Sequence, residues 1–110
     1  MKSIDLKIKD DDIERLKTNS VKASRFLKAL ANEQRLIILC HLARGEFSVS
    51  ALQDNLELSQ SALSQHLARL RKDNLVHTRR DAQTIYYSLQ DGLGAKIIHL
   101  FHQHYCYKED

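Results

Sequence analysis

Leu58-Ser59-Gln60-Ser61-Ala62-Leu63-Ser64-Gln65-His66-Leu67-Ala68-Arg69-Leu70-Arg71-Lys72 is the stretch on which the reading of this chain turns. Leu63, Leu67 and Leu70 recur at i, i+4 and i+7, which places them on one stripe of an α-helix. Ser59 stands where a hydroxyl can accept from the free N–H groups of a first turn, so the spacing predicts a helix over residues 60–73. At about 100° per residue, the face opposite the leucines holds Ser61, Ser64, Gln65, Ala68, Arg69 and Lys72. There is no acidic residue on it. Small hydroxyls and an amide lie toward its N-terminus, and cations toward its C-terminus.

Upstream, Ser48 is the predicted cap of a short helix whose Val49, Leu52 and Leu56 face inward, and Glu57-Leu58 forms a tight turn. Downstream, the period changes. Apolar and polar residues alternate over 75–80 and 83–89, with Ile85, Tyr87 and Leu89 on one face. Arg80-Asp81-Ala82-Gln83 breaks the alternation, which predicts a β-hairpin with no glycine in its turn. Two short helices, a tight turn and a basic hairpin together read as a winged helix-turn-helix. In that fold the second helix enters the DNA major groove, with its N-terminal residues at base edges. Ser59, Gln60, Ser61, Ser64 and Gln65 are therefore the candidate base-reading residues; Gln pairs with adenine and Ser with donors or acceptors. Gln60 falls nearer the buried side, but its place in the first turn keeps it within reach. Arg69, Arg71 and Lys72 suit phosphates. Arg79 and Arg80 at the hairpin tip suit a minor groove or the flanking backbone. Taken singly, each of these residues also fits an ordinary solvated surface. The capped, acid-free face followed at once by a basic hairpin is what points to DNA.

The rest of the chain supports one small, mainly helical domain with a β-hairpin. At 110 residues, 43% hydrophobic and 28% charged, the composition is that of a single globular unit. Proline is absent and glycine occurs three times, so little interrupts the helices. Residues 1–9 alternate apolar and polar at Ile4, Leu6 and Ile8, which is read as an N-terminal arm preceding a domain over 10–110. Asp10-Asp11-Asp12 precedes a helix over about 12–30, with Asp11 and Glu14 at capping-box spacing. Asn32 caps a second helix, apolar almost all round, with a stripe of Leu36, Leu39, Cys40 and Ala43, and Gly45 ends it. Asp91-Gly92-Leu93-Gly94 leads into a last helix over about 93–106. The predicted order is four helices, two strands and a helix. On the last helix, Leu93, Ile97 and Leu100 form one apolar face, and Ile98, Phe101 and Tyr105 widen it. One helix packing on its own small domain needs a narrower stripe, so a second copy is expected against it.

The net charge of +3 permits a polyanionic partner. No apolar run reaches the roughly 20 residues that span a bilayer, and the N-terminus lacks a signal-type stretch. A cytoplasmic protein with no membrane partner is expected. Cys40 and Cys106 cannot build a disulfide scaffold and are free thiols, a redox pair or metal ligands. Nothing suggests an enzyme: there is no Cys-x-x-Cys, no glycine-rich phosphate loop and no paired acidic motif. No cofactor is expected.

Three segments resemble one family. Ala31-Asn32-Glu33-Gln34-Arg35-Leu36-Ile37-Ile38-Leu39 resembles the opening of the second helix of ArsR–SmtB regulators. Leu58 to Leu67 resembles their recognition helix, and Arg79-Arg80-Asp81-Ala82-Gln83-Thr84-Ile85-Tyr86-Tyr87 their wing. The likeness covers about residues 23–106. Cys40 and Cys106 stand where the dithiol, HlyU-like branch of the family has its two cysteines. The resemblance implies a homodimeric winged-helix transcription regulator, paired through its first and last helices, on a near-palindromic double-stranded operator. It leaves repression and relief of silencing both open.

The branch also implies an effector. Family metal sensors carry a Cys-x-Cys pair at the start of the third helix, where this chain has Ser48 and Ser50. Hydroxyls are poor ligands for soft metals. The other family metal site, on the last helix, is incomplete here, although His99, His102 and His104 lie nearby and His99 with His102 could share a metal. No metal ligands are assigned, and a metal-responsive repressor is the alternative. The favoured expectation is a switch at Cys40 and Cys106, which an oxidant or a reactive sulfur species would link. The competing reading is a buried, structural Cys40, since apolar surroundings raise a thiol's pKa and slow it.

Overall fold

A computed structural model describes residues 6–106 of the chain. Helix α1 spans Asp10–Leu30, α2 Glu33–Leu42, α3 Val49–Asp54 and α4 Gln60–Lys72. Strand β1 is Phe47–Ser48, between α2 and α3; β2 is Val76–Asp81 and β3 Thr84–Leu89. Helix α5 runs Leu93–Phe101 and passes into a π-helical turn over His102–Cys106. The architecture is the expected winged helix-turn-helix, mainly helical, with a three-stranded antiparallel sheet ordered β1-β3-β2.

The helix starts follow from local chemistry. Asn32 Oδ1 accepts from the Arg35 N–H at 3.1 Å, Ser48 Oγ from the Ala51 N–H at 3.1 Å, and Ser59 Oγ from the Ala62 N–H at 3.1 Å. Each satisfies one donor that a helix N-terminus leaves free. At α1 the expected Asp11–Glu14 pairing does not form. The helix begins earlier: the Asp12 carboxylate accepts from the Lys9 N–H at 3.1 Å, and Glu14 pairs with Lys17.

Leu63, Leu67 and Leu70 of α4 are buried, as the stripe predicts, against Ile38, Leu39 and Leu42 of α2 and Leu52 of α3. Each buried leucine stabilises the fold by about 1.5–3 kcal/mol. The stripe of α2 is rotated from the expected one: Ile38, Leu39 and Leu42 point inward, and Cys40 and Ala43 are exposed. A helix that is apolar on every side has no unique inward face, so α4 and α5 decide it. Behind α4, α5 comes close to the α4–β2 junction. Any side chain at Gly94 would run into Leu75 Cδ2.

Three expectations need correction. The hairpin is widened by β1, which pairs Phe47 with Tyr87 and Ser48 with Tyr86. The last helix is not α-helical to residue 106. And the turn is the two-residue Ala82-Gln83, since Asp81 pairs with Thr84, with Ala82 at φ 55°. A β-carbon disfavours that region and glycine does not. Ala82→Gly is therefore expected to raise stability by about 0.5–1 kcal/mol, read as a higher thermal midpoint; a lower one would count against strain in this turn.

The protomer is extended. Its radius of gyration is 16.5 Å, against about 13 Å for a compact chain of this length. Helix α1 causes much of the difference. Only Ala29 and Leu30 at its end are buried, and Ile13, Leu16, Val21 and Leu27 stand exposed. On α5, Ile98 is buried, whereas Leu93, Leu100 and Phe101, and Tyr105 in the π-helical turn, are exposed.

Candidate nucleic-acid interface

Helix α4 presents its outer face as the leucine stripe requires. Ser59, Gln60, Ser61, Ser64, Gln65 and Lys72 are all exposed. The turn into α4 is steadied from α3, where Gln53 Nε2 donates to the Leu58 carbonyl at 3.4 Å.

The cations nominated from sequence divide into two groups. Lys72, Arg71 and Arg80 are exposed and make no ion pair among the described residues. Arg69 and Arg79 are engaged within the protein. Arg69 Nε donates to Asp73 at 2.7 Å, and Arg25 Nε of α1 donates to the other oxygen of the same carboxylate at 3.0 Å. The Asp73 side chain is only 6% exposed. Burial alone would raise its pKa, but the hydrogen bonds and charges of Arg69 and Arg25 outweigh burial and hold it below the ordinary carboxylate value. Arg79 Nε donates to both carboxylate oxygens of Glu46, at 2.8 and 3.0 Å, and its guanidinium lies 4.6 Å from the centre of the Tyr86 ring.

A further arginine, Arg35, joins the start of α2 to the end of α1. Arg35 Nε donates to the Ala29 carbonyl at 2.6 Å and a terminal nitrogen donates to the Lys28 carbonyl at 3.1 Å. These are the carbonyls that the end of α1 leaves free. Burial, then the Arg35 charge, keeps the His66 imidazole below its usual pKa. Arg25, Arg35, Glu46 and Asp73 were not legible as site residues. Only the i, i+4 spacing of Arg69 and Asp73 signalled a contact, and that spacing is common on any helix.

The thiols lie away from the outer face of α4. A groove of about 530 Å³ between α2 and α5 is lined by Cys40, Ala43, Arg44, Ile98, His99 and His102. Cys40 and Cys106 are both free thiols and both exposed. The Cys40 thiol is pushed above its ordinary pKa, first by its partial burial and then by the charge of Cys106. Cys40 is thus neither sealed in the core nor fully solvated. No cluster of three or more His, Cys, Asp or Glu suited to a metal ion occurs among the described residues. No helix among them is long and apolar enough to cross a membrane.

A capped helix with an open polar face, a helix packed across it and a three-stranded wing define a winged helix-turn-helix regulator. Comparison with known proteins gives the family. Residues 32–78 match the profile described as bacterial regulatory protein, arsR family. The transcriptional activator HlyU of Vibrio cholerae is 53% identical over 95 residues, 86% of this chain and 88% of its own length. The biofilm growth-associated repressor of Agrobacterium fabrum is 42% identical over 76% of this chain and 72% of its own. A solved structure of reduced HlyU from Vibrio cholerae superposes with a TM-score of 0.79, at 53% identity, over 86% of this chain and 99% of that one. This chain belongs to the ArsR family and is an HlyU-like transcription regulator. The family's members are regulators, not enzymes.

Proposed function

We propose that the chain works as a homodimer that binds a near-palindromic operator in double-stranded DNA and loses or gains affinity through thiol chemistry at Cys40 and Cys106. The observation that carries the DNA reading is the outer face of α4: exposed hydroxyls and amides at its N-terminal end, free cations at its C-terminal end and no acid between. Base contacts fall to Ser59, Gln60, Ser61, Ser64 and Gln65. Phosphate contacts fall to Lys72 and Arg80 in the free protein, with Arg69 and Arg79 available once their internal partners release them. The dimer reading is supported by the uncovered apolar residues of α1 and α5. A two-fold axis there would set the spacing of two recognition helices, about one DNA turn apart.

The thiol reading is supported by Cys40 in the groove between α2 and the C-terminal helix and by Cys106, a second free and exposed thiol, at the end of that helical segment. Cys106 ends the π-helical turn and Cys40 lies on α2, so a bond between them would tie the last helix to the core helix that carries α4. With peroxide as oxidant, each Cys gives up a proton and an electron, one sulfur–sulfur bond forms, and the peroxide leaves as two waters. With an organic persulfide, one molecule passes its outer sulfur to a cysteine and leaves as the thiol, a second takes up the two electrons and two protons of the coupling and leaves as thiol and hydrogen sulfide, and the cysteines are joined by a trisulfide. A coupling of about 1–3 kcal/mol, 5–150-fold in affinity, is ordinary for such a switch.

The test is affinity at fixed salt for duplex DNA from upstream of the protein's own gene, comparing reduced protein with protein treated with peroxide or an organic persulfide. A several-fold change on treatment, abolished by Cys40→Ser, is expected. Arg80→Ala should reduce the slope of log affinity against log salt by about 1, and Gln65→Ala should blunt base preference more than non-specific affinity. Tight binding indifferent to treatment would leave the cysteines structural. Binding untouched by both substitutions would remove α4 and the wing from the interface.

A further inference from the structure

The wing is not the basic hairpin that its sequence suggests. Asp81 lies next to Arg80 in the hairpin, and Arg79 is paired with Glu46, which reaches in from the loop before β1. The path of Arg79 is the telling detail. It leaves β2, the strand on one edge of the sheet, crosses the Tyr86 ring of the central strand β3, and meets Glu46 beside β1 at the far edge. Its side chain lies across the sheet rather than out toward the hairpin tip.

Two carboxylate oxygens grip one guanidinium nitrogen there. A DNA phosphate presents paired anionic oxygens in much the same way. The side chains of Arg79 and Glu46 are 53% and 38% exposed. Exposed ion pairs hold weakly and are screened by salt, so this one contributes little to folding and opens readily.

We infer that Glu46 is an internal competitor for Arg79, a carboxylate that occupies the wing's arginine in place of a DNA phosphate until the backbone of a bound duplex takes it over. This rests on the DNA-binding reading above. Every duplex the protein binds must first displace Glu46 from Arg79. Weak, non-specific encounters are thereby penalised, while a site that α4 also reads can bear the exchange. Glu46 follows α2 by a short loop, so the competitor is attached to the helix that carries Cys40.

The experiment is a double-mutant cycle on a mixed-sequence duplex long enough for two half-sites, with affinity measured across a salt series for the wild type, Glu46→Gln, Arg79→Ala and the double variant. Glu46→Gln should bind about 3–10-fold tighter at a given salt, of the order expected for one freed phosphate contact. In the Arg79→Ala background the same change should gain less than about twofold. Its thermal midpoint should stay within a few degrees of the wild type, since the pair is exposed. Weaker or unchanged binding by Glu46→Gln would overturn the inference, because Glu46 would then support Arg79 or ignore it. An equal gain with and without Arg79 would overturn it too, leaving only a general charge effect. A wild type that shows no salt-dependent duplex binding would instead overturn the DNA reading itself.

Discussion

Asp73→Ala is expected to lower the unfolding free energy by about 2–3 kcal/mol and to weaken operator binding at least tenfold. Two arginines from different elements converge on this one buried carboxylate, Arg25 from α1 and Arg69 from α4. Removing it leaves two cations side by side without a counter-charge. The arginines are themselves 55% and 40% exposed, so water softens the loss below that of a sealed ion pair. The functional loss is larger than for a distant core change because Asp73 caps the end of α4 and ties it to α1. The pH dependence gives an independent check. The folded-state pKa of Asp73 is depressed. Its contribution is therefore complete above the ordinary unfolded value near 3.8 and is lost as pH falls through the lower folded value. Stability of the wild type should fall in that acid range, and Asp73→Asn should flatten this part of the curve. A variant as stable as the wild type at neutral pH, with the same acid limb, would mean the triad does no structural work.

The largest effect on assembly is expected from Leu100→Glu and from Leu16→Glu, made separately. Both leucines are exposed in the protomer, 58% and 61%. In an isolated chain either substitution would be nearly free. At a two-fold interface each places a carboxylate, twice over, in an apolar seam, at a cost of several kcal/mol. Dimer dissociation should shift by about 100-fold or more in sedimentation equilibrium. Operator affinity should drop with it, because two linked half-site contacts become two separate ones. The buried core should stay intact, since neither residue belongs to the buried cluster, and circular dichroism should lose only the helical signal of the first half of α1 as pairing is lost. Variants that remain dimeric would place the partner elsewhere.

What could be read from the sequence was local. Asn32, Ser48 and Ser59 act on donors within their own first turn, so a few residues suffice to find them. The leucines of α4 obey a period that belongs to the helix itself. Strand β1 was not legible because two residues have no period. It exists only through its pairing with Tyr86 and Tyr87, far along the chain. The inner face of α2 could not be chosen from a segment apolar on all sides. The wing's net charge failed in the same way, since Arg79 and Glu46 are 33 residues apart, and so did the tie of α1 to α4, where Arg25 and Asp73 are 48 apart. Counting the positive residues of a hairpin gives its charge only when nothing folds back against it. The π-helical end of the last helix has no composition that marks it.

Among the described residues, every position in the first half of α1 is exposed. A helix in that position is marginal in water on its own, so under the proposed pairing the ordering of this half-helix and the association of two chains would be one event. Abundance then acts as a control variable. When protomers are scarce, the paired species grows as the square of their concentration, and thermal stability climbs with it. If the proposed pairing holds, a regulator built this way would respond to its own dosage: a twofold change in expression would alter the operator-competent pool by more than twofold.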